Sequence, residues 1–228
     1  MPTPRILIVL TSHDQLGNTN HATGFWLEEL ACPYYIFVDA GASVTLASIK
    51  GGQPPLDPKS HLDESQTEDT KRFLADGVAQ KALAHTIAID QVNADDYDAI
   101  FLPGGHGTMW DFSTSAILSS LIASFDAEKK IVAAVCHAPA GLVNVKTSSG
   151  EPLVKGKTVT AFSNSEEKAV ELDAVVPFLL ETRLRELGAT FEAGPDWGAF
   201  SKQDGNLITG QNPASSEPAA KAVLAALS

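Results

Sequence analysis

The chain has 228 residues, 44% hydrophobic and 19% charged, which is enough apolar material for one sizeable core. Its 28 acidic and 16 basic side chains leave a net charge of −12, so the surface should repel phosphate backbones and anionic membranes, and no nucleic-acid or membrane partner is expected. The two cysteines, Cys32 and Cys136, form no CxxC pair, which argues against a disulfide framework or a structural zinc site and for a reducing compartment.

Taken in order, MPTPRILIVLTSHD holds an apolar run too short for a secretory signal or a membrane span, and Arg5 to Ser12 reads as a central parallel strand. A cytoplasmic protein is expected, although a missing signal does not separate cytosol from nucleus. Gly24 to Gly41 reads as a helix that Pro33 kinks or divides, and Ser43 to Ile49 as the second strand. Lys50 to Glu64 lacks periodicity and reads as a long surface loop. Thr67 to Leu83 has helical spacing, with Phe73, Leu74, Val78 and Leu83 on one side.

A strand at Ala99 to Leu102 runs directly into Pro103-Gly104-Gly105-His106-Gly107, and Ser115 to Phe125 is the helix after it. Ile131 to Val135 reads as a short buried strand that stops at Cys136 and His137, with a helix starting over Ala138 to Leu142. Thr158 to Phe162 is a further strand, Val170 to Leu187 a helix, Asp204-Gly205 a hairpin turn, and Ala219 to Leu227 a closing helix. Strands alternating with helices predict an α/β fold: one domain over residues 1–228, a three-layer sandwich with a mostly parallel, flavodoxin-like central sheet.

In such a sheet ligands bind beyond the carboxyl ends of the strands. Four unusual segments fall there: the Ser12 to Gly24 loop, the glycine run, the Cys136 elbow and Ser163 to Glu167. A thiol at a strand-to-helix elbow lies near a helix N-terminus, which favours the thiolate, and His137 adds to that effect. The plain alternative is a small buried hydrophobe. No GxxxxGK[ST] is present and no GxGxxG follows the first strand, so nucleotide binding is poorly supported, and the amides of Gly105 and His137 suit an oxyanion better. His106 and His13 read as polar lining rather than metal ligands, because a transition-metal site needs three or four converging donors. Trp110 and Phe25-Trp26 read as walls of a pocket or subunit contact, and Cys32 as buried packing.

Together PGGHGTMWD, AAVCHAPAGL, FSNSEE, TGQNPAS and TGFWLEELACPY resemble the ThiJ/PfpI superfamily with its class I glutamine amidotransferase-like fold. Within it they are most similar to the branch of glutathione-independent glyoxalase III enzymes and heat-inducible chaperones. The resemblance implies that Cys136 is the nucleophile, with His137 beside it. It implies that Glu29, rather than Glu28, exchanges a proton with the thiol or the substrate. Glu167, with Glu166 as the neighbouring alternative, would support the histidine, and Gly105 and His106 would serve the oxyanion and substrate. The implied substrate is methylglyoxal or a related 2-oxoaldehyde, converted to a 2-hydroxy acid without cofactor or metal by a homodimer. The competing readings are a stress holdase or redox sensor, a protein deglycase and, more distantly, a cysteine peptidase.

Overall fold

Strand β1 (Arg5–Leu10) shows how the chain builds two cores from one sheet. Side chains alternate across a strand, so Leu7 and Val9 enter the cluster on one face and Ile6, Ile8 and Leu10 the cluster on the other, all fully buried. The computed structural model describes residues 3–228. After β1 come α1 (Leu27–Asp39), β2 (Ser43–Ser48), α2 (Glu68–Ala75), α3 (Gly77–Ala84), β3 (Ile87–Ala88) and β4 (Ala99–Leu102). Then follow α4 (Thr108–Asp111), α5 (Ala116–Ala127), β5 (Ile131–Val135), β6 (Thr158–Val159), α6 (Asn164–Ala169), α7 (Leu180–Glu186), β7 (Thr190–Phe191), β8 (Ser201–Asp204), β9 (Leu207–Gly210) and α8 (Ser216–Leu227).

The main sheet has the order β3-β2-β1-β4-β5-β9-β8, and every pairing is parallel except β8 on β9. Side chains of α4, α5 and α7 cover one face, and those of α1, α2, α3 and α8 the other, giving the expected three layers. After β1 the chain steps outward to β2 and β3, then returns to place β4 on the other side of β1. That reversal opens a crevice at the carboxyl ends of β1 and β4, where a parallel sheet binds ligands. No described helix is long and apolar enough to cross a membrane.

Several elements differ from the sequence expectation. Pro33 lies inside α1 and does not divide it; its ring removes only the amide that would reach the Glu29 carbonyl, while Leu30, Ala31, Tyr35 and Phe37 keep the helix buried around it. The helix expected over Thr67 to Leu83 is two helices, because the Asp76 carboxylate accepts from the amides of Val78 and Ala79 and starts α3 afresh. Val78 consequently turns outward, 76% exposed, while Phe73 and Leu83 stay buried. Of the helix expected over Val170 to Leu187 only α7 forms, at Leu180–Glu186, and the residues before it are turns and irregular chain after α6. The strand expected to reach Phe162 ends at Val159 and pairs with β7 outside the main sheet. The Lys50 to Glu64 loop contains two short 3-10 turns and buries Asp57 and Ser60.

Candidate active site

Two strand ends and the start of one helix supply the site. β5 stops at Cys136, whose φ of 61° places a non-glycine residue in the left-handed region. The elbow is clamped on both sides, since the Cys136 amide donates to the Gly210 carbonyl at 2.9 Å and its carbonyl accepts from the Phe162 amide at 2.9 Å. Strain of this kind persists only where surrounding bonds over-determine the backbone. β4 ends in the glycine run, where a Cβ on Gly104 would lie 2.7 Å from Glu29 Oε2 and 2.8 Å from the His137 amide. Only glycine lets these three segments meet. α1 contributes Glu29 from its first turn, and the Trp26 amide before it donates to the Gly104 carbonyl at 3.1 Å.

The side chains form a continuous set of contacts. Cys136 Sγ lies 3.3 Å from His137 Nδ1. His137 Nε2 is 2.7 Å from Glu167 Oε2, and His106 Nε2 is 2.8 Å from Glu167 Oε1, so one carboxylate serves two imidazoles. The two histidine rings lie with centroids 3.9 Å apart and planes tilted by 40°, and Phe162 packs against His137 at 4.2 Å. An ionised carboxylate only accepts, so this network assigns a proton to each Nε2 and leaves Nδ1 of a neutral His137 as the acceptor facing the thiol. On the other side of the sulfur, Glu29 Oε2 accepts from the Gly104 amide at 2.6 Å, while Oε1 is buried and has no hydrogen-bond partner. The carboxyl is nevertheless close enough to Cys136 for each group to shift the other's titration.

Burial sets the protonation states. It raises the Glu29 carboxyl from 4.5 to about 8, against the lowering effect of its contacts with Cys136 and the Gly104 amide. Glu29 therefore holds a proton at neutral pH. Burial, and then the proximity of Glu29, push the Cys136 thiol up, with only the Gly105 amide pulling the other way. The expected lowering of the thiol pKa is thus reversed: the segment after Cys136 is a single 3-10 turn over Ala138–Leu142, too short to supply a substantial helix dipole. Burial, followed by the neighbouring His106, lowers His137. For Glu167 burial alone would raise the carboxyl, but the charges and hydrogen bonds of the two histidines outweigh it and hold Glu167 well below the usual carboxylate range.

The structure separates the two candidate glutamates. Glu167 meets His137, whereas Glu166 turns back to the Ser163 amide and also accepts from the Trp197 amide and the Asn212 side chain. The pattern Ser163-x-x-Glu166 is a capping box, a signal present in the sequence that commits Glu166 to the start of α6. Gly105 directs its amide at the sulfur, while His106 bonds Glu167 rather than standing free as an oxyanion donor. His13 is placed elsewhere, stacked on Trp110 at 5.1 Å. Cys32 is buried beside Glu28 and Asp69, away from the Cys136–His137 pair, and its thiol is pushed up by burial. Sequence reasoning misses Phe162 and Trp197, which support His137 and the Glu166 anchor through contacts that no local spacing encodes; Asn212 starts the Pro213–Ser215 turn, as Asn-Pro suggests, and also donates to Glu166. His106 also lines a cavity of about 450 Å³, together with Trp26, Lys59, Val170 and Leu172. The donor atoms of His106, His137 and Glu167 lie within 4.8 Å of one another, as do those of Glu28, Cys32 and Asp69.

Comparison with known proteins extends over the whole chain. The DJ-1/PfpI family signature matches residues 21–226. The glutathione-independent glyoxalase HSP31 of Saccharomyces cerevisiae is 33% identical over 234 aligned residues, covering 96% of each chain. Among solved structures, the Rapid Encystment Protein 24 KDa of Francisella tularensis superposes with a TM-score of 0.95 at 41% identity, covering 99% of this chain and 100% of that one. Glyoxalase III of Candida albicans gives a TM-score of 0.91 at 27% identity, covering 98% and 97%.

Proposed function

This chain belongs to the DJ-1/PfpI family, and from that premise we propose that it is a glutathione-independent glyoxalase, converting methylglyoxal or a related 2-oxoaldehyde to the 2-hydroxy acid. The observation that carries the reading is the placement of a neutral, buried thiol between a proton acceptor, His137 Nδ1, and a carboxyl that holds its proton at neutral pH, Glu29. Such a pair can add a thiol across an aldehyde without ever exposing a free thiolate.

In the first step the Cys136 sulfur bonds the aldehyde carbon. The thiol proton passes to His137 Nδ1, and Glu29 gives its proton to the former carbonyl oxygen, yielding a hemithioacetal. The Gly105 amide, which meets the sulfur in the free site, would support negative charge developing on that oxygen. Glu29, now ionised, removes the hydrogen from the same carbon and returns it to the adjacent one. The hydroxyl proton of the hemithioacetal shifts to the neighbouring oxygen, leaving a thioester. Water then attacks the thioester and gives one proton to Glu29, while His137 reprotonates the departing sulfur. The net reaction adds one water to the aldehyde and restores every group. Glu167 stabilises the imidazolium that exists between the first and last steps.

A redox sensor needs an accessible thiolate, which the buried and upward-shifted Cys136 does not offer. A homodimer in the cytoplasm completes the reading, and sedimentation of the purified chain checks the assembly. Intact-mass spectrometry of Glu29→Gln after brief exposure to methylglyoxal tests the chemistry. One substrate equivalent on Cys136 is expected, because water can supply the addition proton in place of Glu29 whereas nothing replaces Glu29 in moving the carbon-bound hydrogen; adducts confined to arginine and lysine would contradict the reading.

A further inference from the structure

His106, His137 and Glu167 each bring one donor atom, an imidazole nitrogen from each histidine and a carboxylate oxygen, within 4.8 Å of one another. They come from three separate segments, the glycine run after β4, the elbow after β5 and the first turns of α6. Two neutral imidazoles and one carboxylate are a donor set suited to a divalent transition cation, with water as the fourth ligand. Tetrahedral coordination with roughly 2.0–2.1 Å bonds sets donors about 3.3 Å apart. Each Nε2 lies against a different oxygen of the one carboxylate, at 2.8 and 2.7 Å, so a cation would replace both hydrogen bonds as these contacts open by about half an ångström. Access exists on one side, because His106 lines the 450 Å³ cavity that also holds His21, Asp57 and Lys59.

We propose that these three residues form a binding site for a divalent transition cation of the zinc class, and that its occupancy switches the thiol site off. The switch follows from tautomer chemistry. A metal takes the lone pair of Nε2, so each neutral ring must move its proton to Nδ1. In His137 that proton then faces Cys136 Sγ at 3.3 Å, where the addition step needs an acceptor. Glu167 is at the same time withdrawn from the imidazolium it would stabilise. No bond is made or broken in the protein beyond this transfer of each ring proton from Nε2 to Nδ1, and the carboxylate is already ionised. The inhibitory consequence rests on the glyoxalase reading; the binding does not.

Cobalt(II) reports the site directly. Titration of the purified full chain is expected to give one tightly bound ion per chain with visible tetrahedral bands and no thiolate charge-transfer band. The Cys136→Ala and Cys32→Ser variants should bind equally well, and His106→Gln and Glu167→Gln at least tenfold more weakly. Zinc should lower methylglyoxal turnover of the wild type more than tenfold, with full recovery on adding chelator. The proposal is overturned if Cys136→Ala loses the ion, if a thiolate band appears, if Cys32→Ser abolishes binding and so assigns it to Glu28 and Asp69, or if the wild type binds none. The cysteine variants and the spectrum decide the matter even should a ligand variant fail to fold. An inactive wild type that still binds cobalt with the predicted spectrum refutes the glyoxalase reading alone.

Discussion

Glu29 and Glu28 are neighbours on one helix, yet burial gives them different chemistry. Glu29 is fully buried with one unpartnered oxygen, whereas Glu28 is partly exposed and accepts from the Thr67 hydroxyl. Replacing Glu29 with glutamine keeps the Gly104 contact but removes the transferable proton. We expect kcat to fall by about 10²–10⁴-fold, the usual contribution of a positioned acid/base, with the far-UV spectrum unchanged; Glu28→Gln should stay within a few fold. Comparable losses in both variants would place the proton transfer elsewhere. Glu167→Gln should lower kcat by about 10²-fold or more through loss of imidazolium stabilisation, while Glu166→Gln should act on stability by releasing Trp197 and Asn212. A steady-state comparison of the two, read beside their melting temperatures, checks the division. At this scale the Cys136–His137 elbow stood out in the sequence and Glu29 came from the family resemblance, while the choice between Glu166 and Glu167 stayed open, because the cap that commits Glu166 shows only once Ser163 is seen to start α6. The raised thiol pKa was not, because it depends on enclosure by Glu29 and on a turn too short to act as a helix dipole.

At the scale of elements, glycine geometry holds the junction together. Gly105 has φ 104°, and a Cβ there would lie 2.3 Å from the Gly24 carbonyl oxygen. Gly105→Ala is therefore expected to cost at least about 2–3 kcal/mol, from backbone strain plus overpacking against backbone atoms, and to abolish turnover; a melting temperature within a degree of wild type would contradict this. Asp76→Ala makes a contrasting case. It removes the cap of α3 far from the site, so a loss of about 1–2 kcal/mol in urea denaturation with unchanged kcat is expected. Strands with continuous apolar runs, β1, β4 and β5, were legible to within two residues, since burial on both faces leaves no ambiguity of period. Helical stretches were less so. The Asp76 cap and the Glu171 backbone, at φ 61°, interrupt what apolar spacing alone reads as unbroken helix. The two-residue β3 and β7 depend on tertiary pairing and carry no periodic signal.

For the whole molecule, the same buried carboxyl links function to stability. The folded state raises Glu29 from 4.5 to about 8, so its full contribution is present below pH 4.5 and is lost as pH rises through about 8. A tenfold change in proton affinity corresponds to about 1.4 kcal/mol, so stability should change by roughly a few kcal/mol across that window. Glu29→Gln, which cannot ionise, should thus gain on wild type between about pH 5 and pH 8 in urea midpoint; a constant difference would mean that Glu29 is ionised in the folded protein. Glu167 has the opposite sign: its folded pKa is depressed, so its contribution is present above 4.5 and lost as pH falls below it.

The central claim is that Cys136 converts a 2-oxoaldehyde to a 2-hydroxy acid without glutathione. Its most direct test follows methylglyoxal loss and lactate appearance together, in glutathione-free buffer containing chelator, for wild type beside Cys136→Ala. One lactate for each methylglyoxal consumed by the wild type, and none from a folded Cys136→Ala, is the predicted result. Equal lactate from both proteins, or none from folded wild type, would contradict it.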